Sequence, residues 1–336
     1  MAYRGLRGLR PDSRCKSLGT RAIMSHLMRS NSSQHPHPMN HLESKGSYAF
    51  DQPSSNLFIV GARGYIGRPL LASAKTVGSA IGTSSIGGNG LLHLRLDAPS
   101  DFDYGRISPS DFVMVTAAIS APDVCAREHD WAWKVNVTGT SSFIQSVIDC
   151  GARVVFFSSD TTYGERDDEF DETTVSNPAG EYAIMKHEIE CQFSNCPSFK
   201  SIRLSYVFSK ADKFSRYLAE CAERNEEAEL FHPFFRAIVH RVDVVEGAIL
   251  LAKHWDEVPE KIINFGGPQV LSRIDFAECL RDAYLNKLRF KVTQPSDDFF
   301  RKRPRNIAMK SPLFHKLLGR SPSTFFDATL LEFAAF

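Results

Sequence analysis

Tyr182 and Lys186 stand four residues apart in NPAGEYAIMKHEIE, a stretch with helical spacing, so both side chains fall on one helix face. An ammonium held near a phenol favours the phenolate, which would lower the tyrosine's pKa and bring proton exchange within reach of neutral pH. About twenty residues upstream, the apolar run VVFFSSD ends in Ser158, Ser159 and Asp160. Ser159 could hydrogen-bond an oxygen that is being protonated. A Tyr-x-x-x-Lys spacing occurs on many surface helices without function, so its meaning depends on what else the chain places beside it.

The second motif is LFIVGARGYIGRPL at residues 57–70. Leu57 to Val60 has the composition of a strand buried on both faces, and Ile66, Leu70, Leu71 and Ala74 recur at helical spacing after the glycines. Without side chains at Gly61 and Gly64, the backbone can approach a pyrophosphate closely. The following helix offers its amino-terminal N–H groups and the positive end of its dipole. Gly61, Gly64 and Gly67 therefore read as a dinucleotide-phosphate loop, with Arg63, Tyr65 and Ile66 between them.

These motifs need a scaffold. Further apolar runs at 79–82, 91–96, 112–116, 154–157, 201–204 and 262–265 alternate with helical patterns, which predicts an α/β fold: a doubly wound parallel sheet, ligands at the carboxyl ends of its strands. The nucleotide-binding domain is expected over 55–206, with its last strand near 261–266. Segments 207–240 and 268–336, rich in Phe, Arg and Pro, are expected to form a smaller substrate-binding lobe.

Composition narrows the function classes. The 336 residues carry a formal net charge of +1, which gives no electrostatic case for nucleic acid or an anionic membrane as main partner. The seven cysteines are odd in number and include no CxxC pair, so neither a disulfide framework nor a metal site is expected; reduced thiols in a cytoplasm fit them. No apolar stretch reaches the roughly 20 residues needed to span a bilayer. Residues 1–54 are rich in Arg, Ser, His and Pro, and are expected to be a disordered extension. A non-functional leader, or a true start at Met24, Met28 or Met39, is favoured over an organellar transit peptide.

Taken together, the motifs resemble those of the extended short-chain dehydrogenase/reductase superfamily, of the NAD-dependent epimerase/dehydratase type, and within it the dTDP-4-dehydrorhamnose reductase-like sugar-nucleotide branch. The resemblance covers about residues 56–330 and rests on GARGYIG, AAISAPDVCAREHDWAWKVNVTGT, SSDTTYG, YAIMK, RLSYVF and the tail KRPRNIAMKSPLFHKLLGRSP. It implies an oxidoreductase that reduces a keto group of a nucleotide-activated sugar, with Ser159, Tyr182 and Lys186 catalytic and Lys186 also on the nicotinamide ribose. It implies that Asp97 contacts adenine, that Ala117 and Ala118 line the nucleotide groove, and that Asn136 fixes backbone. Asp160 and Arg303 are implied on the substrate side. Related 4,6-dehydratases carry an Asp-Glu pair where this chain has Asp160 and Thr161, so dehydration is not expected.

Two alternatives stay open: a nucleotide-sugar epimerase with a retained cofactor, and a non-catalytic NADP-binding regulatory subunit. A homodimer also stays open. For the cofactor, the second strand offers Thr83, Ser84 and Ser85 where an NAD enzyme would place a carboxylate on the ribose hydroxyls. Nothing there repels a 2′-phosphate, and Arg63 could pair with one. NADP is favoured and NAD remains an option.

Overall fold

The structure, a computed structural model, describes residues 55–333, so the expectations for residues 1–54 lie outside the described residues. Seven strands form the central sheet: β1 (Asn56–Val60), β2 (Ser79–Ser84), β3 (Leu92–His93), β4 (Phe112–Val115), β5 (Arg153–Ser159), β6 (Phe199–Leu204) and β7 (Ile262–Phe265). Their order is β7-β6-β5-β4-β1-β2-β3 and every pairing is parallel. Successive side chains of one strand point to opposite faces. Leu57 and Ile59 accordingly belong to one apolar cluster, with Met114, Val155 and Ile202, while Phe58 and Val60 belong to another, with Val113, Val154 and Phe156. Both faces need cover, which explains the unbroken apolar runs in the sequence.

The cover is helical. Leu70 and Ala74 of α1 (Gly67–Val77) and Val244, Ala248 and Leu251 of α4 (Arg241–Lys253) complete the first cluster. Phe143, Ile144 and Val147 of α2 (Thr140–Asp149) and Met185 and Ile189 of α3 (Glu181–Gln192) complete the second. The chain builds outward in both directions from β1, so a crevice opens between the carboxyl ends of β1 and β4, where such sheets take ligands.

The strand expected over 91–96 pairs only at Leu92 and His93, with Thr83 and Ser84 of β2. Gly87, Gly88, Asn89 and Gly90 just before it all take positive φ, which turns the chain and shortens the edge strand. The apolar Leu94 and Leu96 serve core packing, not a ladder.

Residues 207–240 and 268–333 carry short pairings: Val207–Phe208 with Val239–His240, Phe235–Ala237 between Val270–Ser272 and Asn306–Ile307, and Glu227–Phe231 with Arg289–Thr293. Most of a third apolar cluster comes from these segments, around Phe208, Leu218, Leu230, Phe276 and Phe325. Among the described residues no helix is long and apolar enough to cross a membrane.

Candidate active site

A cavity of about 780 Å³ lies at the switch point and is lined by the glycine loop, by the ends of β2, β4 and β5, and by Tyr182 and Lys186 of α3. The loop needs its glycines for separable reasons. Gly61 has φ +86°, and a Cβ there would lie 2.9 Å from the Ala117 Cβ, so the loop and the end of β4 are in contact. A Cβ on Gly67 would lie 2.2 Å from the Gly61 carbonyl oxygen, so α1 can start this close to the loop only without a side chain. Gly64 would meet nothing but that same carbonyl, at 3.1 Å; it is the glycine whose place is set by the cavity it lines. No side chain caps the first turn of α1 at Ile66. An anion fits that end of the helix.

At the far end of the cavity, the Thr83 and Ser84 hydroxyls are buried and find no partner in the protein. Arg63 reaches across to the same turn and donates from Nη2 to the Gly87 carbonyl at 2.7 Å. Asp97 lines the cavity too, gripped by Arg95 through Nε at 3.1 Å and Nη2 at 2.5 Å, a contact that holds its carboxyl below the usual range. Tyr65 ties the loop to the segment after β6, donating to the Val207 carbonyl at 3.1 Å and bonding Ser209 at 2.8 Å. A loop that admits no side chain at Gly61 or Gly67, an uncapped helix start and unpaired hydroxyls beyond it fit a dinucleotide.

Asn136 sits in a π-helical stretch, Lys134–Gly139, and bonds both backbone groups of Ile119: Oδ1 accepts from the N–H at 2.8 Å and Nδ2 donates to the carbonyl at 2.9 Å. It fixes the chain leaving β4, as the resemblance implied.

Lys186 is buried, with Nζ donating to the Phe157 carbonyl at 2.6 Å and lying 4.3 Å from the centre of the Phe156 ring. Burial pulls its ammonium down to about 7, against a restoring charge on Glu190 one turn further along α3. Glu190 is itself buried. Burial alone would raise its carboxyl, but His187 and the Arg203 guanidinium hold it at about 2, and Arg203 donates to it from Nε at 3.0 Å and Nη2 at 2.6 Å. The Nζ of Lys186 lies 5.8 Å from the Tyr182 ring centre. The Tyr182 phenol is not lowered as the spacing suggested: burial, with Cys125 and Asp160 adding to it, pushes it above the ordinary range. The tyrosine is therefore a neutral acid, beside a lysine whose ammonium gives up its proton more readily than an exposed one.

Ser159 ends β5 beside Ser158, which lines the cavity. Its hydroxyl donates to Asp160 at 3.3 Å and accepts from the Thr161 hydroxyl at 2.9 Å. Asp160 is buried below it, accepting from Ser205 at 2.9 Å with Arg236 Nε 4.0 Å away, and burial raises its carboxyl against those contacts. Arg303 is elsewhere. It lines a second cavity of about 340 Å³ with Arg273, the Glu229 carboxylate and the rings of Phe214, Tyr217, Phe231, Phe234 and Phe299. Sequence reasoning missed Trp131 and Leu204 on the first cavity, and Arg273 and the aromatic wall of the second. Isolated residues carry no spacing signal that would have revealed them.

Solved structures share this architecture. A hypothetical dTDP-4-dehydrorhamnose reductase from Sulfolobus tokodaii superposes with a TM-score of 0.69 at 20% identity, over 81% of this chain and 96% of that one. A UDP-glucuronic acid 4-epimerase from Bacillus cereus, in complex with UDP-glucuronic acid and NAD, gives 0.65 at 16% identity, over 83% and 97%. A UDP-glucose-4-epimerase from Stenotrophomonas maltophila, with NAD and formylated UDP-arabinopyranose, gives 0.71 at 16% identity, over 82% and 96%. No curated protein matches the sequence significantly. A dinucleotide cradle joined to a Tyr/Lys helix across one cavity defines the extended short-chain dehydrogenase/reductase class. Within that class the chain belongs to the RmlD substrate binding domain family, whose model matches residues 55–330.

Proposed function

We propose that this protein is an NAD(P)-dependent reductase acting on a keto group of a nucleotide-activated sugar. The observation that carries the reading is that Tyr182 and Lys186 face the same cavity as the glycine loop. A nicotinamide dinucleotide held along the Gly61–Gly67 loop and beside Lys186 would supply the hydride that the keto carbon takes up. The Tyr182 phenol, kept protonated by its burial, donates a proton to the oxygen, and Ser159 turns from Asp160 to orient that oxygen. Lys186 would hold the nicotinamide ribose and, charged, would place positive charge beside the phenol as the proton leaves.

NADP is favoured over NAD by Arg63 and by the unpaired hydroxyls at the end of β2. The nucleotide of the substrate is assigned to the second cavity, where Arg273 and Arg303 can meet phosphates and aromatic rings can stack on a base. Asp160, on the substrate side by the resemblance, is paired with Ser205 and Arg236 and accepts from the Ser159 hydroxyl. An epimerase keeping its cofactor is the competing reading, given that epimerases share the fold.

The test is a panel of keto-sugar nucleotides with NADPH, following cofactor absorbance and product mass. Stoichiometric NADPH oxidation is expected, falling about 10²- to 10⁴-fold in Tyr182→Phe with NADPH affinity retained. Interconversion of sugars without net NADPH consumption would establish the epimerase instead, and a Tyr182→Phe protein of undiminished rate would remove the proton donor assigned here.

A further inference from the structure

Arg303 is already engaged. Its Nη2 lies 2.5 Å from the Asp123 carboxylate, and its guanidinium packs 4.7 Å from the centre of the Phe299 ring. Arg303 is mostly covered, with 19% of its side chain exposed, whereas Asp123 is 66% exposed. The other cation of the second cavity, Arg273, lies over the rings of Phe214 and Tyr206 at 3.9 and 4.7 Å, and no carboxylate among the described residues forms an ion pair with it. Asp123 belongs to the first turn of Pro122–Arg127, just after Ile119 and Ser120 of the cofactor cavity. The Arg303 segment also abuts the start of the catalytic helix: a Cβ on Gly180 would lie 3.1 Å from the Lys302 backbone. Arg303 therefore stands between the two cavities, tied to the cofactor side by one exposed carboxylate.

We propose that Asp123 is a resident competitor for Arg303, which gives up this carboxylate when the diphosphate of a nucleotide sugar enters the second cavity. The inference rests on the nucleotide-sugar reading above. An exposed carboxylate is a weak partner, because water screens the pair and two side chains must be held in place. A diphosphate inside an aromatic-walled cavity is a stronger one, since it can take two N–H bonds in a less hydrated setting. The exchange is downhill, and its cost is set by Asp123. Until ligand arrives, the Asp123 carboxylate holds Arg303 at the cavity wall and, with Glu229 on the same cavity, offsets the positive charge of Arg303 and Arg273. A stray anion must displace it to bind, which favours ligands that also stack on the rings.

A double-mutant cycle reads this directly. Binding of UDP and of dTDP is measured by calorimetry on the full chain for the native protein, Asp123→Asn, Arg303→Gln and the double variant, with NADPH affinity as the check on folding. Asp123→Asn is expected to tighten nucleotide binding about two- to five-fold, the range of a surface pair removed as competitor. Arg303→Gln should weaken it, and the Asp123 change should then have no effect in the Arg303→Gln background. Unchanged or weaker binding in Asp123→Asn overturns the proposal, as does equal tightening in both backgrounds, which would be general loss of negative charge. Should neither nucleotide bind any variant while NADPH still does, the nucleotide-sugar reading falls and takes the proposal with it. Binding without the expected cycle sinks the proposal alone.

Discussion

Lys186 is buried at the wall of the cavity, and its charge follows from that burial. With its ammonium held at about 7 by burial, the side chain is largely neutral at pH 8 in the free protein. An anionic dinucleotide favours the charged form, so binding at pH 8 should draw in close to one proton. Calorimetry of NADPH binding in two buffers of different ionisation enthalpy measures that uptake, and identical enthalpies in both would show that Lys186 does not change state. The same lowered value means that the unfolded chain binds more protons than the folded one between about 7 and the ordinary lysine value, so this residue adds stability as pH rises through that window. Arg63 makes a second residue-level prediction. Its guanidinium already lies within 2.7 Å of the Gly87 carbonyl, on the turn after the unpaired Ser84. Arg63→Ala should weaken NADPH by roughly 1.5–3 kcal/mol and leave NADH nearly unchanged, as inhibition constants for the two would report. Spacing in the sequence singled out Tyr182, Lys186 and the glycines, which line one cavity, because each pattern depends on neighbours a few positions away. It misjudged the direction of the Tyr182 shift, because burial is a property of the fold. It could not reveal Asp123 as the partner of Arg303, since 180 residues separate the two.

Among the elements, α3 matters most, and what holds it is the buried pair of Glu190 and Arg203. Arg203 comes from β6, so the pair pins the helix bearing Tyr182 to the sheet, and the Ser201 hydroxyl donates to the same carboxylate at 2.9 Å. Glu190→Gln leaves a guanidinium without its counter-charge and should cost about 3–5 kcal/mol in denaturant unfolding. Acid gives the matching result. With the native carboxyl at about 2 and the unfolded one near 4.5, the pair's contribution is complete above that upper value and is lost as pH falls through the window to about 2. Loss of no more than a surface substitution's worth would mean that packing, not charge, seats the helix. Elements of this kind were legible where both faces are apolar: the runs at 57–60, 112–116 and 262–265 appear as strands within a residue or so. The run at 91–96 misled because Leu94 and Leu96 are apolar for packing and not for pairing.

At the scale of the whole molecule, one neighbour in the sheet arrives late. Six strands are complete by Leu204, yet the seventh, β7, arrives only with Ile262, after the segment 207–240 and helix α4 have been laid down. Until then β6 has one ladder filled, by β5, while its other edge waits for Ile262–Phe265. During synthesis the ribosome must add nearly sixty residues before that edge can close, at about 5–20 residues per second. An open strand edge, with its backbone N–H and C=O groups unpaired, is a template for pairing with another chain. A chain ended at residue 255 should accordingly aggregate, as light scattering would detect, while one ended at residue 270 should stay dispersed longer; equal behaviour would mean the edge is shielded by other means. The growing polypeptide passes through a vulnerable interval of some seconds, and a nascent-chain chaperone has its clearest task in shielding FKSIRL at that stage.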